Sequence, residues 1–105
     1  MKNVIWHSQA KEGKKQVADY IRRQFGLKYK KEFMQEVDQA AKRLMLSPNI
    51  GSIDLLFADR SSTYRSIIIN GLSKMVYRID DEVIHVVAFW DVRREPVAQA
   101  EQVKE

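Results

Sequence analysis

The chain has 105 residues, 45% of them apolar and 30% charged, with no cysteine, a formal charge of +4 and a pI near 9.4. That length allows one domain with a modest core, since a chain of this size buries only about 60–65% of the surface its unfolded form exposes. Lack of cysteine excludes disulfides and thiolate metal sites, and no stretch has the apolar length of a secretory signal or of a membrane span, so a cytoplasmic location is expected.

Val4-Ile5-Trp6 is a short apolar strand candidate. Ser8 stands where a helix N-cap belongs, its hydroxyl placed to accept from an amide of the first turn. Ala10, Val17, Tyr20, Ile21 and Phe25 then follow helical spacing. Gly26 tolerates positive φ and ends this helix. A second helix is predicted from Lys28 to Leu46, because Tyr29, Phe33, Val37, Ala40 and Leu44 recur at steps of three and four. Ser47-Pro48 stops it, since the residue before a proline avoids the helical region. A connection of two or three residues makes the pair an antiparallel hairpin.

After Gly51 the apolar period changes from 3.6 to 2. Leu55-Leu56-Phe57 is a short strand candidate, and Asp59 to Ser62 a loop. Tyr64 to Ile69 and Lys74 to Ile79 are strands joined by Asn70-Gly71, a strong hairpin signal. Asp80-Asp81 turns the chain into a third strand, Val83 to Trp90, rich in β-branched and aromatic residues. The expected fold is α+β: an N-terminal strand, then an antiparallel two-helix hairpin packed on an antiparallel meander. The domain is placed at residues 1–96 and a polar tail, a short helix or disordered, at 97–105.

Charge is uneven along the chain. Residues 1–52 hold eleven Lys and Arg against five Asp and Glu, and residues 53–105 hold seven against nine. Lys11, Lys14, Lys15, Arg22, Arg23, Lys28, Lys30 and Lys31 carry the excess, which suits either an acidic partner or a solvated helix face. No phosphate-binding glycine loop, metal-ligand cluster or nucleophile–base motif is present, so no cofactor or metal is expected. His7 and His85 stand far apart in sequence, and a lone strand histidine is expected to be structural.

The residues left to carry function are basic ones on the predicted sheet: Arg65, Lys74, Arg78, Arg93 and Arg94, accompanied by Tyr64 and Tyr77. Alternation puts Lys74, Val76 and Arg78 on one face and Met75, Tyr77 and Ile79 on the other, which is more apolar and should meet the helices. Lys74 and Arg78 then fall on the outer face, where guanidinium groups grip a phosphate bidentately or stabilise a phosphorane-like charge. Taken by themselves, these residues favour the plainer reading, surface ion pairs of Arg65 and Arg78 with Asp80, Asp81 or Glu82.

In this order and spacing, several segments resemble the RelE/ParE toxin superfamily: Ile5-Trp6, Leu46 to Gly51, Tyr64 to Ile69, Met75 to Asp81 and Asp91 to Pro96. The resemblance covers roughly Val4 to Pro96. It implies the toxin of a type II toxin–antitoxin, or plasmid-stabilisation, module, neutralised by a cognate antitoxin and assembled as a homodimer or a toxin–antitoxin heterotetramer. RelE-like members cut mRNA at the ribosome without a metal; ParE-like members inhibit DNA gyrase. In a RelE-like enzyme, Arg65, Lys74 and Arg93 would be the catalytic set. However, Ile67 stands where RelE has lysine, and the tail after Arg94 lacks a Tyr or His to act as general acid. The resemblance therefore favours the ParE-like branch, with Arg65, Lys74, Arg78, Arg93 and Arg94 as binding residues. The alternatives are a RelE-like endoribonuclease and a degenerate, non-toxic binding module.

Overall fold

The structure, a computed structural model, describes residues 2–103. β1 (Asn3–Trp6) leads into α1 (Ser8–Phe25) and α2 (Leu27–Leu46). Then come β2 (Ser52–Ile53), a 3₁₀ turn (Leu55–Phe57), β3 (Tyr64–Ile69), β4 (Ser73–Asp80), β5 (Val83–Asp91) and α3 (Pro96–Glu101). The five strands form one sheet in the order β1-β5-β4-β3-β2. The meander β3-β4-β5 is antiparallel as expected, but β1 pairs with β5 in parallel, so the sheet is mixed.

Local chemistry explains the elements. One residue, Gly26 at φ 101°, joins α1 to α2, where two or three were expected. The apolar stripe of α2 buries Phe33, Val37, Ala40 and Leu44, whereas Tyr29 and Phe25 at the hairpin tip stay exposed. Asn70 and Gly71 both take positive φ as the central residues of the turn closed by the Leu72 amide on the Ile69 carbonyl, and since Ile69 pairs with Ser73 the connection holds three residues where two were expected. The helix cap differs from the expectation at Ser8: residue 8 is already helical and His7 holds the cap position without a side-chain bond. The His7 amide donates to the Val86 carbonyl, which keeps residue 7 in strand pairing and forces the helix to begin directly after it.

Leu55-Leu56-Phe57 is also corrected, from strand to 3₁₀ turn. The Asp54 carboxylate accepts from the Leu56 amide at 3.1 Å and so winds the chain there. The short strand lies just before it, at Ser52–Ile53.

Two cores flank the sheet. On the helix side Phe33, Met75, Tyr77, Ile84, Val86 and Phe89 pack under α1 and α2. Gly13 brings α1 against β5 so closely that a Cβ there would lie 1.9 Å from the Phe89 carbonyl oxygen. The outer face carries a second core of Phe57, Tyr64, Val76, Val87, Trp90 and Val103, with Phe57 stacked on Tyr64 at 4.7 Å. This face was expected to meet solvent; its Val76 and Trp90 need cover, which the 3₁₀ turn and the tail provide. Burying one such aromatic contributes about 1.5–3 kcal/mol.

A bulge makes both cores possible. Val76 pairs with Ala88 and Tyr77 with Val86, which leaves Val87 as the extra residue. Strict alternation would send Ala88 and Trp90 to the same face as Ile84 and Val86. The inserted residue reverses the sense, so that Phe89 reaches the helices and Trp90 the outer core.

The tail is ordered through residue 103. Arg60 donates to the carbonyls of Ala100 and Val103 at 2.7 and 2.6 Å, and Ala100 and Val103 are buried. Residues 104 and 105 of the expected tail lie outside the described residues.

Candidate functional site: the arginine-bearing sheet

Five basic residues were singled out, and the fold gives them different circumstances. Arg65 lies on the helix-side register, opposite Tyr77. It donates to the carbonyls of Gly51 and Asn49 at 2.8 and 3.3 Å. The same segment is gripped by Tyr77, whose hydroxyl donates to the Pro48 carbonyl at 2.7 Å and accepts from the Gly51 amide at 3.0 Å. Burial pushes the Tyr77 phenol up from its ordinary value, so it stays protonated and able to donate. Arg65 thus organises the Pro48–Gly51 segment instead of pairing with Asp80, Asp81 or Glu82.

Lys74 is on the outer face, as alternation predicts, but it is not available to a phosphate. Its ammonium lies 2.8 Å from Asp54 Oδ2 in an ion pair without hydrogen-bond alignment, with both side chains largely withdrawn from water. The Trp90 ring lies beside it at 5.6 Å. Arg78 shares that face and pairs with Asp80 at 3.6 Å, one of the ion pairs the sequence allowed. Arg65 and Arg78 meet along a cleft of about 320 Å³ that Asn49, Ser62 and Thr63 also line, with no carboxylate in its wall.

Arg93 and Arg94 lie past the other end of β5. The Arg93 guanidinium forks onto Asp91, with contacts of 2.6 to 3.2 Å, and sits over the Tyr20 ring at 5.5 Å. Bonding to Asp91, and then to Tyr20, raises the Arg93 pKa. The bonds from Arg93 hold the Asp91 carboxyl below the ordinary range. Arg94 makes no ion pair among the described residues and lines a cleft of about 350 Å³ between Tyr20, Arg23 and Asp91. The five residues therefore form two separate cationic sites, Arg65 with Arg78 and Arg93 with Arg94, and Lys74 stands apart in its buried pair.

Sequence reasoning missed one juxtaposition. The parallel pairing of β1 with β5 places His7 Nε2 at 2.9 Å from His85 Nδ1, although the two residues are 78 positions apart. No local signal announces it, since it depends on which edge of the sheet β1 joins. No cluster of three or more His, Cys, Asp or Glu able to hold a metal occurs among the described residues. No helix is long and apolar enough to cross a membrane among the described residues.

A two-helix hairpin laid on a five-stranded sheet is the fold of the RelE/ParE toxin superfamily. The chain belongs to the family described as the ParE toxin of the type II toxin–antitoxin system parDE, whose model matches residues 4–96. Among solved structures it is similar to a chain of the chromosomal ParDE toxin–antitoxin system from P. aeruginosa, with a TM-score of 0.71 at 15% identity. That match covers 89% of this chain and 98% of the other. No curated protein matches by sequence.

Proposed function

We propose that this chain is the toxin of a type II module, that it inhibits DNA gyrase in the cytoplasm, and that a cognate antitoxin neutralises it. Membership of the ParE family over residues 4–96 carries the reading. The state of Lys74 supports it against the ribonuclease reading: a lysine held by Asp54 and Trp90 is poorly placed to stabilise charge on a scissile phosphate. On this reading Arg94, with Arg93 beside it, and the Arg65–Arg78 cleft are the contact surfaces for the target.

The test combines supercoiling by purified gyrase in the presence of the purified chain with induced expression, with and without the neighbouring open reading frame. Inhibited supercoiling, a DNA-damage response and growth rescued by the neighbour are expected. Unchanged supercoiling at high toxin concentration, together with new mRNA 5′ ends, would move the assignment to a ribosome-dependent endoribonuclease. No growth defect at all would make the chain a non-toxic binding module.

A further inference from the structure

The β1 end of the outer sheet face carries two histidines that the toxin reading does not use, beside Arg78, which it does. Ile5 stands beside His85 and Trp6 beside Val86, and this register brings the two imidazoles edge to face, with centroids 5.1 Å apart. On the next strand, Arg78 is the cross-strand partner of His85. His7, His85 and Arg78 are each half-buried.

The donors and acceptors of this cluster do not balance. The Arg78 side chain is only 16% exposed, yet it makes no hydrogen bond among the described residues. Its ion pair to Asp80 is long, at 3.6 Å, and the Asp80 side chain is 63% exposed. A guanidinium offers five N–H donors, and with no acceptor on the protein they are left to water and open to an anion. The histidine pair adds to the surplus. Two neutral imidazoles joined by one hydrogen bond leave one N–H and one lone pair unused, whichever ring donates.

We propose that His7, His85 and Arg78 form a binding site for a phosphoryl group, the guanidinium taking two of its oxygens and an imidazole N–H a third. The planar fork of an arginine matches that arrangement. Arg78 beside the rings also explains why the pair is an anion site and not a metal site, since the guanidinium repels a divalent cation from the imidazole nitrogens. Burial, and then the charges of His85 and Arg78, hold the proton affinity of His7 down. An anion seated on Arg78 offsets that charge, so binding is accompanied by proton uptake on His7. The site shares Arg78 with the cleft assigned to the target, but its test uses neither gyrase nor the ribosome, so either reading can fail without the other.

The experiment is calorimetric titration of the whole chain with inorganic phosphate and with a short single-stranded oligonucleotide. A third titration, with sulfate at pH 6 and pH 8, uses an anion whose own charge does not change in that range. Saturable binding is expected, tighter at pH 6, with a heat that varies with the ionisation enthalpy of the buffer. Arg78→Gln and His85→Gln should each weaken it by about tenfold or more, the scale of one lost charge-assisted hydrogen bond. Lys42→Gln, on the exposed side of α2, should bind as the parent does. Arg78→Lys keeps the charge and loses the fork; weaker binding at an unchanged melting temperature separates recognition from folding. Tighter binding of the oligonucleotide than of phosphate assigns a nucleic-acid backbone, and the reverse assigns a free phosphate ester; either supports the site. No saturable heat at either pH, or parental affinity in Arg78→Gln, overturns it. Binding that is equal at both pH values and intact in His85→Gln overturns it as well.

Discussion

The Lys74 ammonium stands 2.8 Å from the Asp54 carboxylate beneath the outer core, with the Asp54 side chain 5% exposed. Removing one partner of such a pair leaves an uncompensated charge that the surrounding Trp90 and Phe57 cannot solvate. Lys74→Met is therefore expected to destabilise the fold by about 3–5 kcal/mol, whereas replacing both partners restores most of the loss. The double variant Lys74→Met/Asp54→Asn keeps an oxygen for the Leu56 amide. Urea denaturation of parent, single and double variants checks this; a single variant as stable as the parent would show that the pair contributes nothing.

Gly13 makes the opposite of the usual helix prediction. Glycine to alanine inside a helix is ordinarily favourable by about 1 kcal/mol. Here the new methyl group would meet the Phe89 carbonyl oxygen at 1.9 Å, and a backbone atom has no rotamer by which to yield. Gly13→Ala should instead lower stability by about 1–3 kcal/mol, the scale of an overpacked interface. Equal or higher stability in thermal denaturation would mean that α1 slides on β5 freely.

The histidine pair gives stability a pH dependence of definite sign. The His7 proton affinity is lower in the fold than in the unfolded chain, chiefly through burial and then through His85 and Arg78. Protons thus favour the unfolded state, and stability should begin to fall as pH drops below about 6.5, the unfolded value for histidine. His7→Asn should flatten the melting-temperature profile between pH 7 and 5. Asp91, also depressed, acts in a separate window: its contribution is present above the unfolded carboxyl value and is lost only as pH falls below about 4.

Arg60 is expected to be the tether of the tail. It donates to the Ala100 carbonyl in the last turn of α3 and to the Val103 carbonyl just beyond it. Arg60→Ala should raise amide hydrogen exchange across residues 97–103 by more than tenfold and leave β4 and β5 protected. Unchanged exchange there would assign the docking of the tail to Ala100 and Val103 alone.

What the sequence disclosed depended on distance along the chain. The α2 stripe, the β3 strand and the Asn70-Gly71 turn were legible because each is set by neighbours within a few residues. The outward placement of Lys74 and Arg78 was legible for the same reason. Their partners were not: Asp54 reaches Lys74 through a turn that alternation misread as a strand. His7 meets His85 only because β1 joins the far edge of the sheet. The buried tail was hidden for a related reason, since Ala100 and Val103 become apolar contacts only once Trp90 has been turned outward to receive them.

That turning has a consequence for the length of β5. Val87 acts as a phase shift between two halves of one strand, the first keyed to β1 and the second to α3 and the 3₁₀ turn. Deleting Val87 would turn β5 into a regular strand in which plain alternation still keeps Phe89 under the helices and Trp90 in the outer core. Inserting one further residue before Phe89 would instead exchange Phe89 and Trp90 between the cores, so this strand can lose its extra residue more safely than it can gain another.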